Sequence, residues 1–80
     1  MLDVEYKPDF LKEISKINHA EIKEKIKQQI EKIIDHPEIG KPMRFNRKGT
    51  RELYINPYRL AYAYNQNKII FLELYHKDEQ

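Results

Sequence analysis

Residues 50–76 have the sequence TRELYINPYRLAYAYNQNKIIFLELYH, and this stretch decides the fold. Residues 50–55 are rich in strand-forming side chains, and residues 58–64 alternate along the chain. Residues 69–75 are almost continuously apolar, which is typical of a strand in an inner position of a sheet. The turn sequences Asn-Pro and Asn-Gln-Asn separate the three segments. The pattern therefore predicts three consecutive antiparallel strands.

The strand of residues 58–64 has two different faces. One face carries the large side chains Tyr58, Leu60, Tyr62 and Tyr64. Arg59 shares the other face with two alanines. If the large side chains pack against helices, Arg59 points to an open face, over a shallow groove with an alanine floor. The alternative is a surface arginine paired with a neighbour such as Glu52 or Glu73.

The N-terminal half predicts one strand and two helices. Residues 2–6 alternate apolar and acidic side chains, and residues 8–17 follow with helical spacing behind Pro8. A second helix has an isoleucine stripe from Ile22 to Ile34 and ends at His36-Pro37, with Asn18 as the expected cap. The predicted fold is α+β in the order β-α-α-β-β-β. In it, an antiparallel sheet carries a helical hairpin on one face of a single domain, residues 1–80.

Composition adds a function class and several exclusions. The chain has no cysteine, which excludes disulfide scaffolds, thiolate metal sites and cysteine nucleophiles. All four arginines and seven of the nine aromatic residues lie after residue 40. Arginine mixed with tyrosine suits single-stranded nucleic acid, because phosphates take the cations and bases stack on the rings. The acid-free segment 41–51 supplies the candidate RNA contacts Lys41, Arg44, Arg47 and Lys48.

The sequence carries few of the known catalytic motifs. With only two glycines it has no phosphate-binding loop, and no His or carboxylate pair has metal-ligand spacing, so we expect neither cofactor nor metal. RNA cleavage needs little machinery, because the ribose 2′-hydroxyl is itself the nucleophile. Arginine and lysine can neutralise the phosphorane, while histidine and tyrosine can move protons. His76, at the end of the last predicted strand, is the candidate proton donor, and we expect its imidazole on the same side of the sheet as Arg59, where both can reach one ribose-phosphate linkage.

Three motifs resemble one known family. These are Arg51-Glu52-Leu53, the run Asn56-Pro57-Tyr58-Arg59-Leu60-Ala61-Tyr62, and Tyr75-His76-Lys77 after the apolar strand. Together with the opening segment 6–13 they resemble the RelE/ParE superfamily of toxins from type II toxin–antitoxin systems. The resemblance spans nearly the whole chain, including the order of its elements.

The resemblance implies roles for individual residues. Arg59 matches the strand arginine that the RelE and YoeB branches use at the scissile phosphate, and Arg51 matches a basic residue on the preceding strand. Tyr75 and His76 resemble the C-terminal pair of the YoeB branch, where the histidine is a general acid. Lys77 falls near the terminal basic residue of the RelE branch. No general base is implied. The carboxylate of the YoeB branch would fall near Gly40, with Glu38 close to it only if the alignment slips, and Glu52 stands where RelE-like strands are basic.

The resemblance also implies an activity and partners. It implies a metal-independent endoribonuclease that cleaves mRNA in the ribosomal A site and arrests translation. Its partners would be a cognate antitoxin, the ribosome and mRNA. It would contact DNA only through the antitoxin, and no apolar run is long enough to span a membrane. The acidic N-terminus and the short apolar runs favour a cytoplasmic location. The alternatives are a ParE-like inhibitor of DNA gyrase, and a catalytically weak member that only binds RNA or its antitoxin.

Overall fold

A computed structural model describes residues 2–42 and 49–76. Its elements are β1 (Asp3–Tyr6), α1 (Pro8–Ser15), α2 (Ala20–Asp35), β2 (Lys41–Pro42), β3 (Thr50–Ile55), β4 (Tyr58–Asn65) and β5 (Lys68–His76). The predicted α+β class and the order β-α-α-β-β-β are confirmed, with β2 as an additional short strand. Residues 43–45, whose sequence Met-Arg-Phe also suggests a short strand, lie outside the described residues.

The five strands form one mixed sheet in the order β1-β5-β4-β3-β2. β3, β4 and β5 are antiparallel neighbours, as predicted, and the additional strand β2 pairs antiparallel with β3. β1, in contrast, pairs parallel with β5, which corrects the expectation of a wholly antiparallel sheet. The chain leaves β1 through two helices and then winds back from the far edge, and only such a long connection allows two strands to lie parallel.

The two helices begin and end close to the predicted residues. α1 starts at Pro8, whose missing N–H costs nothing at a helix start, and Asp9 lies in its positively polarised first turn. α2 ends just before the predicted His36-Pro37 stop. The expected Asn18 cap is wrong, because His19 is the residue that precedes the helix and its side chain makes no capping hydrogen bond. Neither helix has the length and apolar character to cross a membrane.

The core lies between the helices and one face of the sheet. Its fully buried members are Phe10, Ile26, Ile33, Leu60, Tyr62, Ile69, Phe71 and Leu74. We call this the covered face. The opposite face, here the open face, carries Glu52, Tyr54, Arg59, Ala61, Glu73 and Tyr75. The open face therefore combines charged side chains with two tyrosines on the side away from the helices.

One irregularity in β5 decides which side chains reach each face. The register shifts between Ala61 and Tyr62, which pair with Glu73 and Phe71, so Leu72 is an extra residue on β5. Such a β-bulge reverses the alternation of every residue that follows it. Phe71 and Leu74 consequently both enter the core although they are three positions apart.

Candidate functional site

The register aligns two rows of side chains across the open face. In the first row Tyr54 pairs with Arg59, which pairs in turn with Tyr75. In the second, Lys41 on β2 pairs with Glu52, followed by Ala61 and Glu73. Residues that share a face of a sheet and pair across strands lie within side-chain contact distance. A cation, a carboxylate and two phenols are therefore neighbours.

Glu52 is the centre of this arrangement. Its Oε1 lies 3.4 Å from Nη1 of Arg59, and its Oε2 accepts a 2.6 Å hydrogen bond from the Tyr75 hydroxyl. The ion pair is neither buried nor free in solvent, since the Arg59 and Glu52 side chains are 37% and 26% exposed. The pairing of Arg59 with Glu52, an alternative reading of the sequence, is thus observed on the open face.

The surroundings of Tyr75 keep its hydroxyl protonated. Burial raises the pKa of Tyr75, and the hydrogen bond and negative charge of Glu52 raise it further. Arg59 acts in the opposite direction on the same pKa without reversing the shift. At neutral pH the phenol is therefore a hydrogen-bond donor.

A shallow, open groove of about 630 Å³ borders this site. It is lined by Ile39, Lys41, Glu52, Leu53, Tyr54 and Arg59. The ring of Tyr54 is 53% exposed, and its hydroxyl donates to Oδ1 of Asn56 at 2.9 Å, which holds it beside Arg59. A phosphate at Arg59 would therefore have an exposed aromatic ring and a lysine within the same groove.

His76 does not reach this face. It pairs with Tyr58, and its ring stands edge-on to the Tyr58 ring with centroids 5.5 Å apart, on the covered face at the end of the sheet. Regular alternation from buried Ile69 would put His76 beside Arg59, but the extra Leu72 brings Tyr75 there instead. The structure therefore brings Arg59 and Tyr75 together and separates His76 from them.

Arg51 is also on the covered side and binds backbone. Its Nη1 donates to the carbonyl oxygens of Glu38 and Gly40 at 3.0 and 2.8 Å. Those carbonyls belong to the segment that connects α2 to β2. Arg51 thus holds that connection instead of facing Arg59.

Tyr62 anchors the same connection from beneath. Its hydroxyl donates to the Pro37 carbonyl at 2.6 Å and accepts from the Gly40 N–H at 2.9 Å. Because Lys41 follows Gly40 directly, this buried anchor fixes β2, and with it Lys41, at the edge of the open face. Of the other predicted site residues, Arg44, Arg47, Lys48 and Lys77 lie outside the described residues.

Sequence reasoning considered Glu52 only as an ion-pair partner and missed its contact with Tyr75. The contact between Glu52 and Arg59 can be predicted from the hairpin turn at Asn56-Pro57. That turn sets Tyr54 opposite Arg59, which places Glu52 diagonally across from Arg59. The contact between Glu52 and Tyr75 depends on the bulge in β5, for which the sequence offers no comparable signal.

The same architecture is found in known proteins. A family model described as the ParE toxin of type II toxin–antitoxin system, parDE, matches residues 4–80. The chain belongs to this family. It is accordingly a toxin of the RelE/ParE superfamily, as the resemblance implied. No curated protein matches it in sequence.

Solved toxin structures share the fold. The RelBE2 toxin–antitoxin complex from Mycobacterium tuberculosis has a chain with TM-score 0.79 and 20% identity, covering 95% of this chain and 98% of that one. The YoeB dimer from Staphylococcus aureus gives 0.77 and 23%, covering 94% and 97%. The DinJ–YafQ complex of E. coli gives 0.80 and 19%, covering 99% and 97%. At these identities the likeness establishes the fold.

Proposed function

We propose that this toxin is an endoribonuclease that cleaves mRNA on the ribosome, with Arg59 at the scissile phosphate. The observation that carries the proposal is the setting of Arg59 on the open face. There its side chain is 37% exposed, directly beside the carboxylate of Glu52 and paired across the strands with Tyr75. The resemblance of residues 56–62 to the RelE and YoeB branches supports the same reading.

The chemistry requires alignment and charge neutralisation more than a protein nucleophile. The ribose 2′-oxygen attacks the adjacent phosphorus in line, and the bond from phosphorus to the 5′-oxygen breaks. Negative charge grows on the non-bridging oxygens, which the planar guanidinium of Arg59 can bind through two N–H groups. Tyr75, whose protonated hydroxyl donates to Oε2 of Glu52, holds that carboxylate beside the guanidinium. Both groups are fixed on strands, which limits their reorganisation during the reaction.

A cognate antitoxin is the proposed protein partner. The similar RelBE2 structure is a toxin–antitoxin complex, and YafQ was solved in complex with DinJ. An antitoxin that covers the open face would block Arg59. An acidic or amphipathic segment that folds on binding suits the basic residues of segment 41–51.

The test is a cleavage map made during translation. Purified toxin is added to a translating extract with a defined mRNA, and primer extension locates new 5′ ends. Wild type should cut within codons only where ribosomes translate, and Arg59→Ala should cut at least about 100-fold more slowly. Lys68→Ala is the matched control, since Lys68 also loses an exposed ion pair, to Glu5 at 3.8 Å, at the far end of β5. It should cleave like wild type.

A second candidate function is inhibition of DNA gyrase. It is favoured by the family model, which is that of ParE, and by the separation of His76 from Arg59. Expression would then induce the DNA-damage response while mRNA stays intact, and purified toxin would block supercoiling by gyrase. That pair of results would overturn the nuclease proposal. Normal growth on expression without any antitoxin would instead indicate a member that only binds.

A further inference from the structure

We propose that Glu52 is the general base that removes the proton from the ribose 2′-hydroxyl. This inference rests on the proposed nuclease function and names the residue that the family resemblance leaves unassigned. It stands on the position of Glu52 between Arg59 and Tyr75 on the open face.

The two carboxylate oxygens of Glu52 have different surroundings. Oε2 is held by the 2.6 Å hydrogen bond from Tyr75, which fixes the orientation of the carboxylate. Oε1 faces Nη1 of Arg59 at 3.4 Å, longer than a strong charge-assisted hydrogen bond of about 2.7–2.9 Å. Oε1 therefore retains the capacity to accept a proton, while the other oxygen keeps the group in place.

A phosphate bound to Arg59 would lie next to Oε1. Both would occupy the same edge of the guanidinium, so the ribose on the 5′ side of the scissile phosphate, whose 3′-oxygen bears that phosphate, presents its 2′-hydroxyl toward Glu52. General bases act within hydrogen-bond reach, roughly 2.6–3.2 Å, of the proton that they remove. The exposure of the site, 26% for the Glu52 side chain, leaves room for that approach.

The proton balance of the step is simple. Glu52 takes the 2′-hydroxyl proton as the 2′-oxygen forms its bond to phosphorus. The bond to the 5′-oxygen breaks, its electron pair stays on that oxygen, and the oxygen takes a proton from water. Glu52 then returns its proton to solvent, which neutralises the hydroxide. The products are a 2′,3′-cyclic phosphate and a free 5′-hydroxyl.

The other charged groups of the open face lie around Glu52. Lys41 approaches it from β2, Arg59 from β4, and Tyr75 and Glu73 project from β5. Glu73 is an exposed carboxylate that pairs with Ala61, and it lies two strands further from the Lys41 edge than Glu52. It therefore provides a matched control with the same chemistry on the same face.

The experiment compares Glu52→Gln with Glu73→Gln in the translating extract, at toxin concentrations that give single-turnover cleavage. Glu52→Gln should cleave about 10²–10⁴-fold more slowly than wild type, the usual contribution of a general base. Its binding to ribosomes that carry mRNA with a 2′-deoxy scissile nucleotide should be unchanged or tighter, because Arg59 keeps its charge. Glu73→Gln should match wild type in both measurements.

The contrary results distinguish a wrong assignment of Glu52 from a wrong proposed function. A Glu52→Gln rate within about threefold of wild type, or above it, overturns the assignment and makes Glu52 only a partner that masks Arg59. Failure of wild type to cleave overturns the proposed function itself. Glu52→Asp guards against a folding defect, since it keeps the carboxylate and should exceed Glu52→Gln in rate when both have wild-type melting temperatures. Equal rates for these two folded variants would also overturn the proposal.

Discussion

The buried anchor between Tyr62 and the α2–β2 connection should be the most sensitive polar contact in the fold. Tyr62 has no exposed surface, and its hydroxyl joins the Gly40 N–H to the Pro37 carbonyl. Tyr62→Phe keeps the ring in the core and removes only the oxygen. The perturbation therefore isolates two hydrogen bonds.

The expected loss follows from those two bonds. A buried hydrogen bond contributes about 1 kcal/mol net, and a partner left unsatisfied costs about 1–3 kcal/mol. With two backbone partners affected, we expect the free energy of unfolding to fall by about 2 kcal/mol. In a chain of 80 residues this corresponds to a melting temperature lower by roughly 8–16 °C.

Urea unfolding followed by circular dichroism measures this loss. Tyr54→Phe is the matched control, because its hydroxyl bonds only the exposed Asn56 side chain among the contacts described for it, and it should change stability by less than about 0.5 kcal/mol. The urea dependence of the free energy should be the same for both variants. Equal stability of Tyr62→Phe and Tyr54→Phe would show that the two hydrogen bonds of the Tyr62 hydroxyl do not stabilise the fold, contrary to this prediction.

Two further predictions concern Tyr62 and Tyr75. Gly40→Ala should destabilise by about 1–3 kcal/mol, because its Cβ would lie 2.5 Å from Oη of Tyr62 and 3.0 Å from Cβ of Arg51. In urea unfolding the loss should be smaller in a Tyr62→Phe background, and an equal loss in both would contradict the proposed clash. Burial is the main cause that raises the pKa of Tyr62 and of Tyr75, so the folded protein holds these protons more tightly than the unfolded chain. Their stabilising effect should be complete below pH of about 10 and should be lost as the pH rises above it. Tyrosinate absorbance of the folded protein should include a component that ionises at higher pH than tyrosine in the unfolded chain, and its absence would contradict this prediction.

Local patterns in the sequence were sufficient for most elements. The strands β3, β4 and β5 and both helices follow from side-chain periodicity and from Pro and Asn stop signals, each within a few residues. The parallel pairing of β1 with β5 was not predictable in the same way, because it joins segments about 65 residues apart along the chain. No local pattern specifies such a partner.

The site was predictable only as far as the bulge. Arg59 on the open face follows from alternation along β4, which is regular. In β5 one extra residue, Leu72, exchanges the faces of Tyr75 and His76. Since an insertion of a single residue inverts the pattern, alternation counted from Ile69 assigns both residues to the wrong face. The contact of Glu52 with Tyr75 was missed for this reason.

Two variants test most directly whether the chemistry takes place on the open face. Cleavage rates in the translating extract should be compared for Arg59→Ala, on the open face, and His76→Gln, on the covered face. We expect Arg59→Ala to lose at least about 100-fold and His76→Gln less than about tenfold. A larger loss for folded His76→Gln than for Arg59→Ala would contradict the claim and return the chemistry to the end of β5.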